Sequence, residues 1–77
     1  MATLGERLKL LREQKGITQR ELSEFMGYKT TRPVQYFEAN ERPLDHHALI
    51  KLADFFNVSL DYLVGRSNDP SPPTKEI

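Results

Sequence analysis

The chain has 77 residues, 38% of them hydrophobic, and no cysteine, which fits one small domain with a modest core and excludes a disulfide scaffold or a cysteine-based zinc site. Lys plus Arg is 11 and Asp plus Glu is 11, so the chain lacks the basic excess that marks many nucleic-acid binders. No apolar run approaches the ~20 residues a membrane span needs, and the opening Met1-Ala2-Thr3-Leu4-Gly5-Glu6 has neither the basic start nor the apolar stretch of a signal peptide, which predicts a cytoplasmic protein.

The punctuation predicts short helices. The first runs from Leu4 to Lys15: Thr3 and Glu6 have capping-box spacing, Leu4, Leu8 and Leu11 recur at helical spacing, and Gly16 ends it. The second runs from Gln19 to Met26. Thr18 and Glu21 form another capping box, Ile17 can staple onto Leu22, Leu22, Phe25 and Met26 are the expected buried face, and Gly27 stops the helix. The third is expected to start near Thr31 with Thr30 as N-cap, to carry Pro33 in its first turn, and to end around Asn40. The fourth follows Asp45 as N-cap and reaches Phe56, with Leu49, Leu52, Ala53 and Phe56 on one stripe. The fifth runs from Leu60 to Val64 between Ser59 as cap and Gly65 as terminator. Residues 1–65 thus read as one domain. Residues 66–77, with Pro70, Pro72 and Pro73, read as a flexible tail.

The second and third helices, joined by a short turn containing glycine, have the layout of a helix-turn-helix. Ser23 is the small residue where the helices cross, Gly27 the turn glycine, and Val34 and Phe37 the apolar anchors. At ~100° per residue, Val34, Phe37 and Glu38 share the core side. Arg32, Gln35, Tyr36 and Ala39 then form the outward stripe, with Thr31 at its free end. Arg can pair with guanine, Gln with adenine, and Thr can touch a thymine methyl. From Gly27 to Phe37 there is no acid, although an ordinary solvated helix face would look similar. Thr31, Arg32, Gln35 and Tyr36 are therefore the candidate base readers. Gln19, in the first turn of its helix, is placed to meet a phosphate, and Lys29, Thr30 and Arg42 flank the stripe as further candidate phosphate contacts. Arg12 and Glu38 both point toward the core, which is costly unless they meet, so they are expected to form an ion pair that orients the third helix.

Other features carry less. Asp45-His46-His47 would converge poorly on a metal because adjacent helical residues point ~100° apart. No catalytic set of Ser/His/Asp or Cys/His type is visible, and the glycines are scattered. Neither an enzyme nor a cofactor is expected. Phe55 and Tyr62, near the end of a broadly apolar stretch, are the expected contacts of a homodimer.

The segments Gly16-Ile17-Thr18-Gln19, Glu21-Leu22, Gly27, Val34, Phe37-Glu38 and Leu49 through Gly65 together resemble the phage repressor/Cro (XRE-type) family, over residues 4–65. The resemblance implies an all-α, five-helix lambda-repressor-like DNA-binding domain, often dimeric, that reads operator DNA. It also implies a backbone-contacting glutamine at Gln19 and supports the Arg12–Glu38 pair. The turn from Gly27 to Val34 looks one residue longer than the usual form. Asn40 stands where glycine is common, and Glu41 where a basic residue is common. The expectation is a transcriptional regulator of repressor type, located at the nucleoid, binding a palindromic double-stranded operator as a homodimer. The alternative is a protein-interaction module of the same fold, such as an antitoxin. Neutral charge and Glu41 favour that alternative; the acid-free stripe favours DNA.

Overall fold

A computed structural model describes residues 2–72 of the chain. Those residues form α1 (Leu4–Lys15), α2 (Gln19–Met26), α3 (Arg32–Glu38), α4 (His46–Phe56) and α5 (Leu60–Leu63), and the architecture is all-α. Leu8, Leu11, Leu22, Val34, Phe37, Leu44, Leu52, Ala53, Val58 and Leu63 meet in a single buried cluster. Every helix contributes to it, so no helix is stable by propensity alone and each is held by its apolar stripe.

Local chemistry sets most of the boundaries. Thr3 with Glu6 and Thr18 with Glu21 close complete capping boxes on α1 and α2. Asp45 accepts from the Ala48 amide at 2.8 Å, and Ser59 Oγ accepts from the Tyr62 amide at 3.0 Å. Each cap satisfies a backbone donor that the helix cannot. Gly16, Gly27 and Asn57 end α1, α2 and α4 in the left-handed conformation. Asn40 does the same after α3, at φ 60°, and its side chain ties the turn to α1: Oδ1 accepts from the Gly5 amide and Nδ2 donates to Thr3 Oγ1, both at 2.9 Å.

The third helix departs from expectation at both ends. It begins at Arg32, with Thr31 rather than Thr30 in the N-cap position. The reason is Pro33. Capping by Thr30 would make Pro33 the third helical residue, the one whose N–H a cap hydroxyl normally receives, and proline has none. The helix ends at Glu38, not Asn40, because the left-handed Asn40 breaks the hydrogen-bond ladder. α5 is also shorter by one residue, with Val64 as its C-cap.

Two contacts fix how the helices meet. Gly5 lies where α1 crosses the end of α3: a Cβ there would stand 2.5 Å from the Glu38 carbonyl oxygen and 2.6 Å from that of Phe37. At the other side of α1, the chain beyond α5 folds back instead of leaving. Arg66 and Ser67 donate their amides to the Asp61 carbonyl, and the Ser59 amide donates to the Pro70 carbonyl at 3.2 Å. The first part of the expected tail therefore has defined contacts with the domain; residues 73–77 lie outside the described residues.

Candidate nucleic-acid interface

The site is built on the α2–α3 pair. Ser23 is almost fully buried, and its hydroxyl donates back to the Gln19 carbonyl at 2.7 Å, leaving room for the helices to approach. Gly27, at φ 84°, reverses the chain. Val34 and Phe37 are buried and pin α3 on its inner side. With that side fixed, helical geometry turns Arg32, Gln35, Tyr36 and Ala39 outward, and all are exposed; Thr31 is half-buried at the helix start. Gln35 Nε2 donates to Thr31 Oγ1 at 3.1 Å. The Arg42 guanidinium leans on the Tyr36 ring, 5.8 Å from its centroid, which brings a cation to the C-terminal end of the stripe.

Lys29 and Thr30 are exposed on the turn. With Arg20, Ser23, Glu24, Tyr28 and Thr31 they line a shallow notch beside the stripe. The Tyr28 phenol is held above its ordinary value by burial, with the Asp45 charge adding to this and Arg42 opposing it. It stays a neutral donor wherever tyrosine ordinarily does.

Behind the stripe lies a buried polar network. Arg12 Nε donates to Glu38 Oε2 at 2.7 Å, and the two side chains are 12% and 5% exposed. Arg12 also reaches Glu38 Oε1 at 3.3 Å and the Ile17 carbonyl at 2.9 Å. Gln19 Nε2 donates to the same Glu38 Oε1 at 3.0 Å. One carboxylate thus ties the end of α3 to α1 and to the first residue of α2. Gln19, read from sequence as a phosphate contact, has one amide N–H committed inward. The network leaves none of its buried side-chain polar atoms unpaired, the condition under which buried charge is tolerated.

The two side chains expected at a dimer interface both have partners within the chain. Phe55 stacks on Phe25 with centroids 4.1 Å apart, and Lys15 Nζ lies 5.0 Å from its ring. Tyr62 lies under the Arg7 guanidinium at 3.9 Å. Both remain half-buried. The large apolar side chains most open to solvent are Leu10, Phe25, Ile50 and Leu60, besides Tyr36 on the stripe. Arg7, which no sequence motif singles out, is 6% exposed. It donates to the carbonyls of Tyr62 and Ser67 and to Asn68 Oδ1. Its only sequence signal was its place between Leu4, Leu8 and Leu11 on the inner side of α1.

A buried inner side, a left-handed glycine turn and a projecting second helix define the helix-turn-helix class, and the chain belongs to that family: the family model described as Helix-turn-helix matches residues 8–63. The chain is 39% identical over 64 residues to the HTH-type transcriptional regulator ImmR of Bacillus subtilis (strain 168), covering 83% of this chain and 50% of that protein. It is 39% identical over 67 residues to the uncharacterized HTH-type transcriptional regulator YqaE of the same organism, covering 84% and 56% respectively. A crystal structure of a transcriptional regulator from Listeria innocua has a TM-score of 0.76 at 29% identity, covering 97% of this chain and 63% of that one. The chain spans about half the length of the curated relatives it matches.

Proposed function

We propose that this chain is a sequence-specific DNA-binding transcriptional regulator of repressor type that lays α3 in the major groove of an operator. The observation that carries the reading is the stripe of Thr31, Arg32, Gln35 and Tyr36: it is free of acid and stands on the buried Val34 and Phe37. Arg and Gln there offer the donor and acceptor patterns that base edges in the major groove distinguish. Lys29, Thr30 and Arg42 border the stripe, where they reach backbone phosphates and fix register, and Gln19 approaches the same backbone from the start of α2. The neutral net charge makes non-specific attraction weak, so affinity depends on the fit of the stripe to its sequence. The protein acts in the cytoplasm at the nucleoid, without catalysis and without a cofactor.

A helix of this length reads only a few base pairs, so the working form is a homodimer on a palindromic operator with half-sites ~34 Å apart. The surface around Phe55 and α5, with Leu60 exposed and Phe55 and Tyr62 half-buried, supplies the apolar area for pairing. A second reading, a protein-interaction module of the same fold, is favoured by the same exposed side chains and by the neutral charge.

Selection of preferred sites from random duplexes tests the proposal. An enriched inverted repeat is expected. In the Arg32→Ala variant, discrimination at one base position per half-site should fall by about 1–3 kcal/mol, with the other positions unchanged. Equal weakening on every sequence would make Arg32 a phosphate contact. Recovery of no preferred sequence would overturn the DNA reading in favour of the interaction module.

A further inference from the structure

The start of α3 differs from the other helix starts. Thr3, Thr18, Asp45 and Ser59 all have extended backbone, with ψ between 154° and 169°, and each side chain accepts a backbone N–H of its own helix. Thr31 occupies the same N-cap position with ψ −8°, and its side chain caps nothing. Pro33, the second helical residue, removes one of the two amides a cap hydroxyl could receive. The Thr31 hydroxyl is instead taken by a residue one turn along, Gln35, whose Nε2 donates to it at 3.1 Å. Positions i and i+4 share a helix face, so this pair lies on the outward stripe.

We infer that Thr31 is a specificity-determining positioning residue: by occupying one N–H of Gln35 it sets that side chain to read adenine and to reject guanine. The inference rests on the DNA reading proposed above. A free glutamine amide has two N–H donors and one acceptor oxygen. With one donor committed to Thr31, Gln35 presents one N–H and Oε1. Adenine offers the matching pattern in the major groove, the N7 acceptor beside the N6 donor, and takes both. Guanine offers two acceptors, N7 and O6. Gln35 cannot supply two donors while Thr31 holds one, and its Oε1 would face O6 unpaired. Thymine and cytosine each offer a single polar partner and satisfy only half of the amide. The Thr31 methyl group remains available for the methyl of a neighbouring thymine.

The test compares affinities of the 77-residue chain for its selected operator and for versions in which the A·T pair facing Gln35 is replaced by G·C. Wild type should lose about 5- to 150-fold, the range of one good bidentate pair. In Thr31→Val, which keeps the shape but not the hydroxyl, the A/G ratio should shrink by about two- to tenfold, the worth of one hydrogen bond. Thr31→Ser should restore it. Discrimination at the base facing Arg32 should be the same in all three proteins, which a mere loosening of α3 would not leave untouched. Melting of Thr31→Val should match wild type, since no cap is lost. An unchanged A/G ratio in Thr31→Val, or a selected site with no A·T pair facing Gln35, would overturn the inference and leave the DNA reading standing. A wild-type chain with no preferred sequence would overturn both.

Discussion

Arg7 and Arg12 leave the same helix, and both are withdrawn from solvent, but what receives them differs. Arg12 meets a carboxylate, Glu38, which also holds Gln19, so charge faces charge in a nearly dry site behind the exposed stripe of α3. Arg7 meets two backbone carbonyls, a side-chain amide and the face of Tyr62, and among the described residues none of its hydrogen-bond partners is a carboxylate. The first arrangement joins α1, α2 and α3 and sets the angle of the stripe. The second joins α1 to α5 and to the segment that follows it. The contrast separates two ways of burying a guanidinium. A counter-charge compensates strongly, but then depends on one partner. A set of dipoles spreads the compensation, so losing any one acceptor matters less.

The Arg12 side should be the more fragile. Among the described residues, Glu38→Ala leaves Arg12 with the Ile17 carbonyl as its acceptor and should destabilise the fold by about 3 kcal/mol in a urea melt, the lower end of the cost of an uncompensated buried charge because Arg12 keeps that acceptor. Arg12→Met combined with Glu38→Leu should recover much of the loss. Wild-type stability of Glu38→Ala would remove the pair from the architecture. Arg7→Met should cost less, about 1–2 kcal/mol, because the acceptors it abandons lie near the surface and can take water. Its signature should be local: faster amide exchange at Ser59, Arg66 and Ser67, with α3 unaffected. Uniform loss of protection across all helices would mean that Arg7 serves the whole core instead.

The smallest expected effect is a pH dependence at Tyr28, whose ring packs against Phe37 outside both networks. Its phenol is raised by burial and by Asp45, with Arg42 opposing. The folded state therefore holds this proton more tightly than the unfolded state. The resulting stability is complete below the unfolded value, about pH 10, and is lost as the pH climbs from there through the folded value. Tyr28→Phe should show a shallower loss of stability across that alkaline window than wild type. Identical slopes would mean that Tyr28 is as solvated folded as unfolded.

The same contrast explains what could be read in advance. Arg12 and Glu38 were legible because each is a charged residue sharing an apolar helix face, and two such misfits of opposite sign point to one another. Arg7 gave half of that pattern, a cation on an apolar face, but carbonyl acceptors exist at every residue and leave no mark in the sequence. Gly5 was silent for a similar reason: the need for a missing side chain exists only where the Glu38 and Phe37 carbonyls arrive beside it. The first-turn position of Gln19 points to a phosphate, while its tie to Glu38 depends on how α2 is set against α3.

The number and approximate limits of the helices, most of their caps, the core residues Leu8, Leu11, Leu22, Val34, Phe37, Leu52 and Ala53, and the outward stripe of α3 are legible in the sequence, whereas Phe25, expected on the buried face of α2, stands exposed with its ring stacked on Phe55. The legible features follow from local rules: which side chain can receive a free amide, where glycine or asparagine can turn left-handed, and which residues recur every 3.6 positions. Tertiary structure alone decided where α3 begins, that Thr31 holds Gln35 instead of capping, that one carboxylate serves both Arg12 and Gln19, and that the chain after Gly65 folds back under Arg7. Each of these depends on the distance and direction between groups on different turns or elements, or on the competition between one hydroxyl's possible partners, and that is settled only when the helices pack.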